Sequence, residues 1–224
     1  MAVTVINSDV QEFASHCFYM RCVFRHLETL YETSDATDRQ LMHDAAPFFF
    51  EDLNHILIEH VIQQICNITD PAEQKIKGGV VVNHTVAFFV GNSDFGAAAE
   101  KFARLEELQA AMKDFRKKLV PARNKLISHR DREAILAKVD LGVAPVEEWA
   151  AFWLHLQEFV EILHQRYLGG PFNINDALSD TDTLLKALRH GSYFDVLIRG
   201  PDKVLAKQCM QVVDRQALRH RAPK

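Results

Sequence analysis

The stretch Arg123-Asn124-Lys125-Leu126-Ile127-Ser128-His129 holds three side chains that together could cut RNA without a metal. Arginine carries a permanent charge and a fork of fixed N–H donors, so Arg123 could hold and neutralise a phosphate. His129 bears the one side chain whose ordinary pKa lies near neutrality, so it could take or give a proton. Asn124 could orient that histidine or donate to a phosphate oxygen. The surrounding charge favours an anionic ligand. Residues 113–132 hold eight Lys/Arg (113, 116, 117, 118, 123, 125, 130 and 132) against Asp114 and Asp131, a net +6 in a chain whose total is −4. A basic stripe concentrated on an otherwise acidic protein is the footprint of a nucleic-acid or nucleotide site. Lys117, Lys125, Arg130 and Arg132 are the candidates for holding flanking phosphates.

Spacing alone does not establish a site. A six-residue step turns through roughly 240° on an ideal α-helix, so Arg123 and His129 leave it on different sides. They converge if the arginine wraps round, if the helix loosens after Ile127, or if a second copy supplies the missing half. Asn124 and Ser128, four residues apart, do share a face. The bland alternative is a helix-end histidine and an arginine paired with a nearby acid.

The elements that must position these residues are helical almost throughout. At 48% hydrophobic and 25% charged residues over 224 positions, the chain is a globular one able to bury a sizeable core. Apolar residues at three- and four-residue steps from Val10 to Tyr31 predict a long helix over about 9–33. Ser34 and Asp35 restart the chain. Pro47 opens a second long helix, with Phe48, Phe49, Leu53, Ile56, Leu57, Val61 and Ile65 on its apolar face, and Asp70-Pro71 ends it. Residues 71–96 are the least regular, with a short helix expected around Val86–Val90. A strand is conceivable at Gly79–Val82, but no other segment offers a comparable strand signal. From Ala97 the helical period returns through Leu105, Leu108, Met112, Phe115 and Leu119, and Pro121 should bend the chain just before Arg123. A further helix is expected over 146–168, stopped by Gly169-Gly170-Pro171. Beyond it, helices are predicted over about 181–198 and 202–219. Residues 199–224 carry a net +5, consistent with a solvated terminal helix or with a contact to nucleic acid or a partner. The predicted architecture is all-α, with a helical domain over residues 1–170 and a C-terminal helical extension over 171–224.

Other chemistries find less support. Cys17, Cys22, Cys66 and Cys209 lack paired CxxC spacing and read as reduced, mostly buried thiols of a cytoplasmic protein. Glu51, His55 and Glu59 stack at four-residue steps, but on the side of their helix away from its apolar face. Di-metal bundles need an E-x-x-H on each of two helices, and only Glu161/His164 supplies one. No metal and no cofactor is therefore expected. P-loop, GxGxxG and GxSxG motifs are absent. No run of about 18 apolar residues is present to cross a membrane.

The set Arg123, Asn124 and His129 resembles the signature of the HEPN superfamily: an arginine, a polar residue, and a histidine several positions on. More narrowly, the chain is similar to the AbiU-like branch, a group associated with phage abortive infection. The residues that carry this similarity are RNKLISHRD at 123–131, the preceding run RLEELQAAMKDFRKKL at 104–119, and ITDPAE at 68–73 after a long apolar helix. The helix with Trp149 and Trp153 also fits. The resemblance implies a bundle of long antiparallel helices that dimerises through its motif-bearing helices and brings two Arg/Asn/His sets into one cleft. It implies a metal-independent endoribonuclease of toxin or phage-defence type, acting on RNA as a homodimer and answerable to an antitoxin or regulatory protein. One departure stands out. Some HEPN toxins carry a modifiable tyrosine two residues after the histidine, whereas this chain has Asp131. Two rival functions remain: a helical dimer that binds RNA, a nucleotide or a protein without cutting, and a regulator recognised through its apolar helix faces and basic tail.

Overall fold

A computed structural model describes residues 4–128, 144–201, 204–208 and 210. The chain divides into two compact units, Met1–Leu27 with Asn54–Leu178, and Glu28–Leu53 with Ser179–Lys224. Helix α1 (Asn7–Leu27) widens into a π turn at Glu28–Glu32, then α2 (Ala36–Ala45) and α3 (Pro47–Thr69) follow. A hairpin of β1 (Glu73–Ile76) and β2 (Gly79–Val82) precedes α4 (Val86–Asn92), α5 (Ala99–Ala122) and a second π turn at Arg123–Ser128. The later elements are α6 (Val146–Tyr167), a short 3-10 turn at Ile174–Asp176, and α7 (Thr181–Arg199). The all-α expectation holds, with the hairpin as its small exception.

The first unit is built around α1, α5 and α6. On α5 the buried residues Leu105, Leu108, Met112, Phe115, Leu119 and Ala122 follow alternating three- and four-residue steps, which places them in one seam. On α6 the buried residues Phe152, Trp153, Leu156, Phe159, Val160 and Leu163 likewise recur at helical spacing and share one face. Two ion pairs set the sense of packing. Arg104 near the start of α5 meets Glu158 just past the middle of α6 at 2.6 Å, and Lys118 near the end of α5 meets Glu148 at the start of α6 at 2.5 Å. Numbers rise on one helix as they fall on the other, so α5 and α6 are antiparallel. Aromatic side chains fill the seam: Phe115 lies 5.1 Å from Phe152 and from Trp149, and Phe13 of α1 lies 4.7 Å from Phe89 of α4. Helix α6 stops where the sequence predicts. The Leu168 and Gly169 N–H groups both donate to the His164 carbonyl, and Gly169 takes φ of 78°, a conformation that suits glycine.

The second unit has its own small core of Leu30, Met42, Phe50 and Leu185. Asp35 caps α2 by accepting from the Asp38 N–H at 2.8 Å. Asp38 is itself buried and paired with Arg189 of α7. The Tyr31 hydroxyl donates to the Phe50 carbonyl at 2.7 Å.

Three expectations need correction. Gly79–Val82 does find a strand partner, Glu73–Ile76, in register from Glu73 opposite Val82 to Ile76 opposite Gly79. The partner's Glu-Gln-Lys-Ile composition gives no strand signal. A two-residue turn with Gly78 at φ 114° closes the pair instead. Ile56, expected inside, is 60% exposed. The buried stripe of α3 runs through Val61, Ile65 and Ile68, and four steps back from Val61 fall on Leu57, leaving Ile56 beside the stripe. Phe48 and Phe49 also face outward. Of the cysteines, Cys17 and Cys66 are buried while Cys22 is only half-buried, and Cys209 lies outside the described residues. Residues 204–208 are helical, and the rest of the helix expected over 202–219 falls mainly outside the described residues.

Candidate nucleic-acid site

The site forms where the end of α5 meets the end of α3. Pro121 lies inside α5 and has no N–H to give, so one rung of the α-helical ladder is missing. Just beyond it, the Arg123 N–H is shared between the Leu119 and Val120 carbonyls, and Arg123–Ser128 continues as a π turn. Such turns are rare and tend to occur at functional positions. The wider winding also changes the angular relation between Arg123 and the residues after it, so the ideal-helix reckoning from Arg123 does not apply. Leu119 and Ala122, both buried, fix the inner side of this segment.

The facing element is the last turn of α3. Ile65, Cys66, Ile68 and Thr69 are all buried, and the Thr69 hydroxyl donates to the Ile65 carbonyl at 2.6 Å. Pro71 then prevents the helix from continuing. Just after it, the Asn83 N–H donates to the Ala72 carbonyl at 2.8 Å and closes the base of the hairpin. Asp70 thus stands on a short, doubly anchored bend.

From that bend Asp70 takes two arginines. Arg123 presents a fork, Nη1 donating to Oδ1 at 3.2 Å and Nη2 lying 3.1 Å from Oδ2. Arg116 Nη2 also donates to Oδ1. Arg116 and Arg123 are seven residues apart, two helical turns, and so reach the same point from one side of α5. All three side chains keep about a quarter of their surface exposed. Beneath them lies Cys66, fully buried and one turn before Asp70. Burial pushes its thiol pKa up, the positive charges of Arg123 and Arg116 pull against that shift, and Asp70 adds to it. The arginine pair therefore rests on a dry floor, and Cys66 is an unreactive thiol.

Of the residues singled out in the sequence, the structure brings Arg123, Asn124 and Lys125 onto one π turn, with Asn124 and Lys125 exposed. Lys117 is exposed on α5 and paired with Asp114 at 2.7 Å. His129, Arg130, Asp131 and Arg132 lie outside the described residues. Asp70 and Arg116 are additions to the set. Asp70 had signalled only a helix stop, and Arg116 only one charge among eight. The Asp70-Pro71 landmark was the available clue.

The alternative metal ligands are not gathered. Glu51, His55 and Glu59 are exposed on α3. His164 is occupied otherwise, with Nδ1 2.7 Å from the Gly170 carbonyl and its ring stacked on Phe172. No group of three or more His, Cys, Asp or Glu suited to a metal occurs among the described residues. No helix among them is long and apolar enough to cross a membrane.

Long packed helices with an Arg-Asn pair at the end of one of them, separated by four residues from a histidine in the sequence, define a HEPN-type domain. Within that class the chain belongs to the AbiU2 family, which it matches over residues 10–188. This confirms the similarity carried by RNKLISHRD and ITDPAE and places the protein with abortive-infection proteins. No curated protein and no solved structure matches the chain.

Proposed function

We propose that the protein is a metal-independent endoribonuclease of phage-defence type, with a site completed by a second copy of the chain. The observation that carries this is Arg123: a guanidinium fixed by a carboxylate, partly exposed, on a π turn that also presents Asn124 and Lys125. Membership of the AbiU2 family supports the same function.

In this proposal His129 of one copy takes the proton of an RNA 2′-hydroxyl, and the oxygen attacks the adjacent phosphorus. His129 of the other copy gives a proton to the departing 5′-oxygen. The P–O5′ bond breaks and a 2′,3′-cyclic phosphate remains, so DNA is not a substrate. Arg123 stabilises the charge that develops on the pentavalent phosphorus, where fixed donors count most. Asn124 orients His129 or donates to a non-bridging oxygen. Lys117, Lys125, Arg130 and Arg132 hold neighbouring phosphates, and binding falls with salt by roughly 0.7 in log–log slope per phosphate contacted.

The test is purified protein with total RNA in excess EDTA, wild type beside His129→Ala. General acid–base help is typically worth ~10²–10⁴-fold, so His129→Ala should lose most turnover and keep RNA binding. A His129→Ala protein that cleaves like wild type, with contaminating nuclease excluded, sinks the proposal. A second function has one observation in its favour. Arg123 is already neutralised by Asp70, as a non-catalytic binding module could also require. RNA retained in a gel shift with no cleavage by either protein would select it.

A further inference from the structure

We infer that Asp70 is a positioning residue for Arg123 and that Arg116 is the brace that keeps Asp70 in place. The inference rests on the ribonuclease proposal and adds to it two residues from outside the RNKLISH segment.

The geometry is that of a clasp. An arginine side chain has several rotatable bonds and would lose considerable rotamer freedom if a substrate had to order it at each turnover. The Asp70 fork removes that freedom beforehand, since both Nη atoms of Arg123 meet the two carboxylate oxygens. A guanidinium has five N–H donors. The fork uses two and leaves three for a phosphate. Asp70 therefore orients Arg123 without using up its capacity to bind anions.

The brace follows from the carboxylate's own position. Asp70 sits just past the end of α3 on a bend, where a single long-range partner would leave it free to swing. Arg116, bound to Oδ1, is rooted on α5 between the buried residues Phe115 and Leu119. The two arginines and one carboxylate leave a net +1 over the dry Cys66 floor, so the cluster still attracts a phosphate.

The experiment compares wild type, His129→Ala, Asp70→Asn, Asp70→Glu and Arg116→Ala in one cleavage assay that resolves kcat from KM. Misplacing a reacting group by about 1 Å can cost ~10²-fold, so Asp70→Asn should lower kcat by about ten- to a hundredfold. Its KM and its RNA affinity should stay level or improve, since a negative charge has been removed from a phosphate site. Asp70→Glu, which can still fork Arg123, should recover part of kcat. Arg116→Ala, which leaves the Asp70–Arg123 fork standing, should give a smaller fall in kcat. A purely structural role would instead lower the active fraction and leave kcat per active site unchanged. If His129→Ala is inactive while Asp70→Asn keeps wild-type kcat, the clasp inference is wrong and the ribonuclease proposal stands. If Asp70→Asn does not fold, Arg116→Ala decides: a wild-type kcat there overturns the inference. If wild type cleaves no RNA, or His129→Ala cleaves as well as wild type, the ribonuclease proposal falls and takes this inference with it.

Discussion

Removing the Asp70 carboxylate should destabilise the first unit by an amount that its burial sets. Exposed ion pairs are worth ~0.2–1 kcal/mol, whereas breaking a fully buried pair costs ~3–5 kcal/mol. Asp70, Arg116 and Arg123 are each about one quarter exposed, so the pairs lie between those limits. Asp70→Ala strips a charged acceptor from two guanidiniums and leaves them to repel one another. Charge-assisted hydrogen bonds contribute ~1.5–3 kcal/mol each before solvent screening, and discounting for partial exposure gives a loss of about 2 kcal/mol. Arg116→Ala keeps the Arg123 fork and relieves the repulsion, so it should cost only about 1 kcal/mol. In a double-mutant cycle the Asp70–Arg116 coupling should be about 1 kcal/mol. The assay is urea unfolding followed by tryptophan fluorescence. Both tryptophans, Trp149 and Trp153, lie on α6 in the first unit, so the signal reports that unit. A coupling below about 0.3 kcal/mol, which is within the additivity expected of independent sites, would refute the argument that Asp70 joins the two helix ends.

The floor of the site gives a second outcome. Leu119 is fully buried next to Pro121, and Leu119→Ala should cost ~2–5 kcal/mol in the same urea measurement; a loss under about 1 kcal/mol would mean the seam closes over the gap. A third concerns pH. His16 has its pKa lowered chiefly by burial, with a hydrogen bond to Gln64 opposing the shift and the nearby His60 adding a smaller lowering. Its folded pKa lies below the unfolded value of about 6.5, so the unfolded chain binds the extra proton first as pH falls. Stability is therefore full above about pH 6.5 and declines below it, and His16→Gln should flatten that slope in urea melts between about pH 5 and 7. An unchanged slope would exclude His16 as its source.

The sequence by itself determined most of the helices, the class of protein, and where its chemistry is concentrated. Apolar periodicity is local, so α1, α3, α5, α6 and α7 could be read with their ends close to place, and Gly169-Gly170-Pro171 marked a true stop. The short motif from Arg123 to His129, with ITDPAE ahead of it, was enough to indicate the family. Tertiary structure decided what periodicity cannot encode. Arg123 had 30 aspartates and glutamates to choose from, and its partner stands 53 residues away because α3 ends beside α5. The π turn at 123–128 follows from hydrogen-bond register after Pro121, and residue type does not specify that register. The first strand of the hairpin, Glu73–Ile76, depends on the turn and on a closing bond at Ala72 rather than on strand-forming residues. Segment 28–53 packs with 179–199 through Leu30, Met42, Phe50 and Leu185 and through the Asp38–Arg189 pair, residues that are unremarkable in sequence and meet only on folding. Local composition names the elements and the motif, whereas the partner that makes Arg123 a fixed group is a matter of where two helices end.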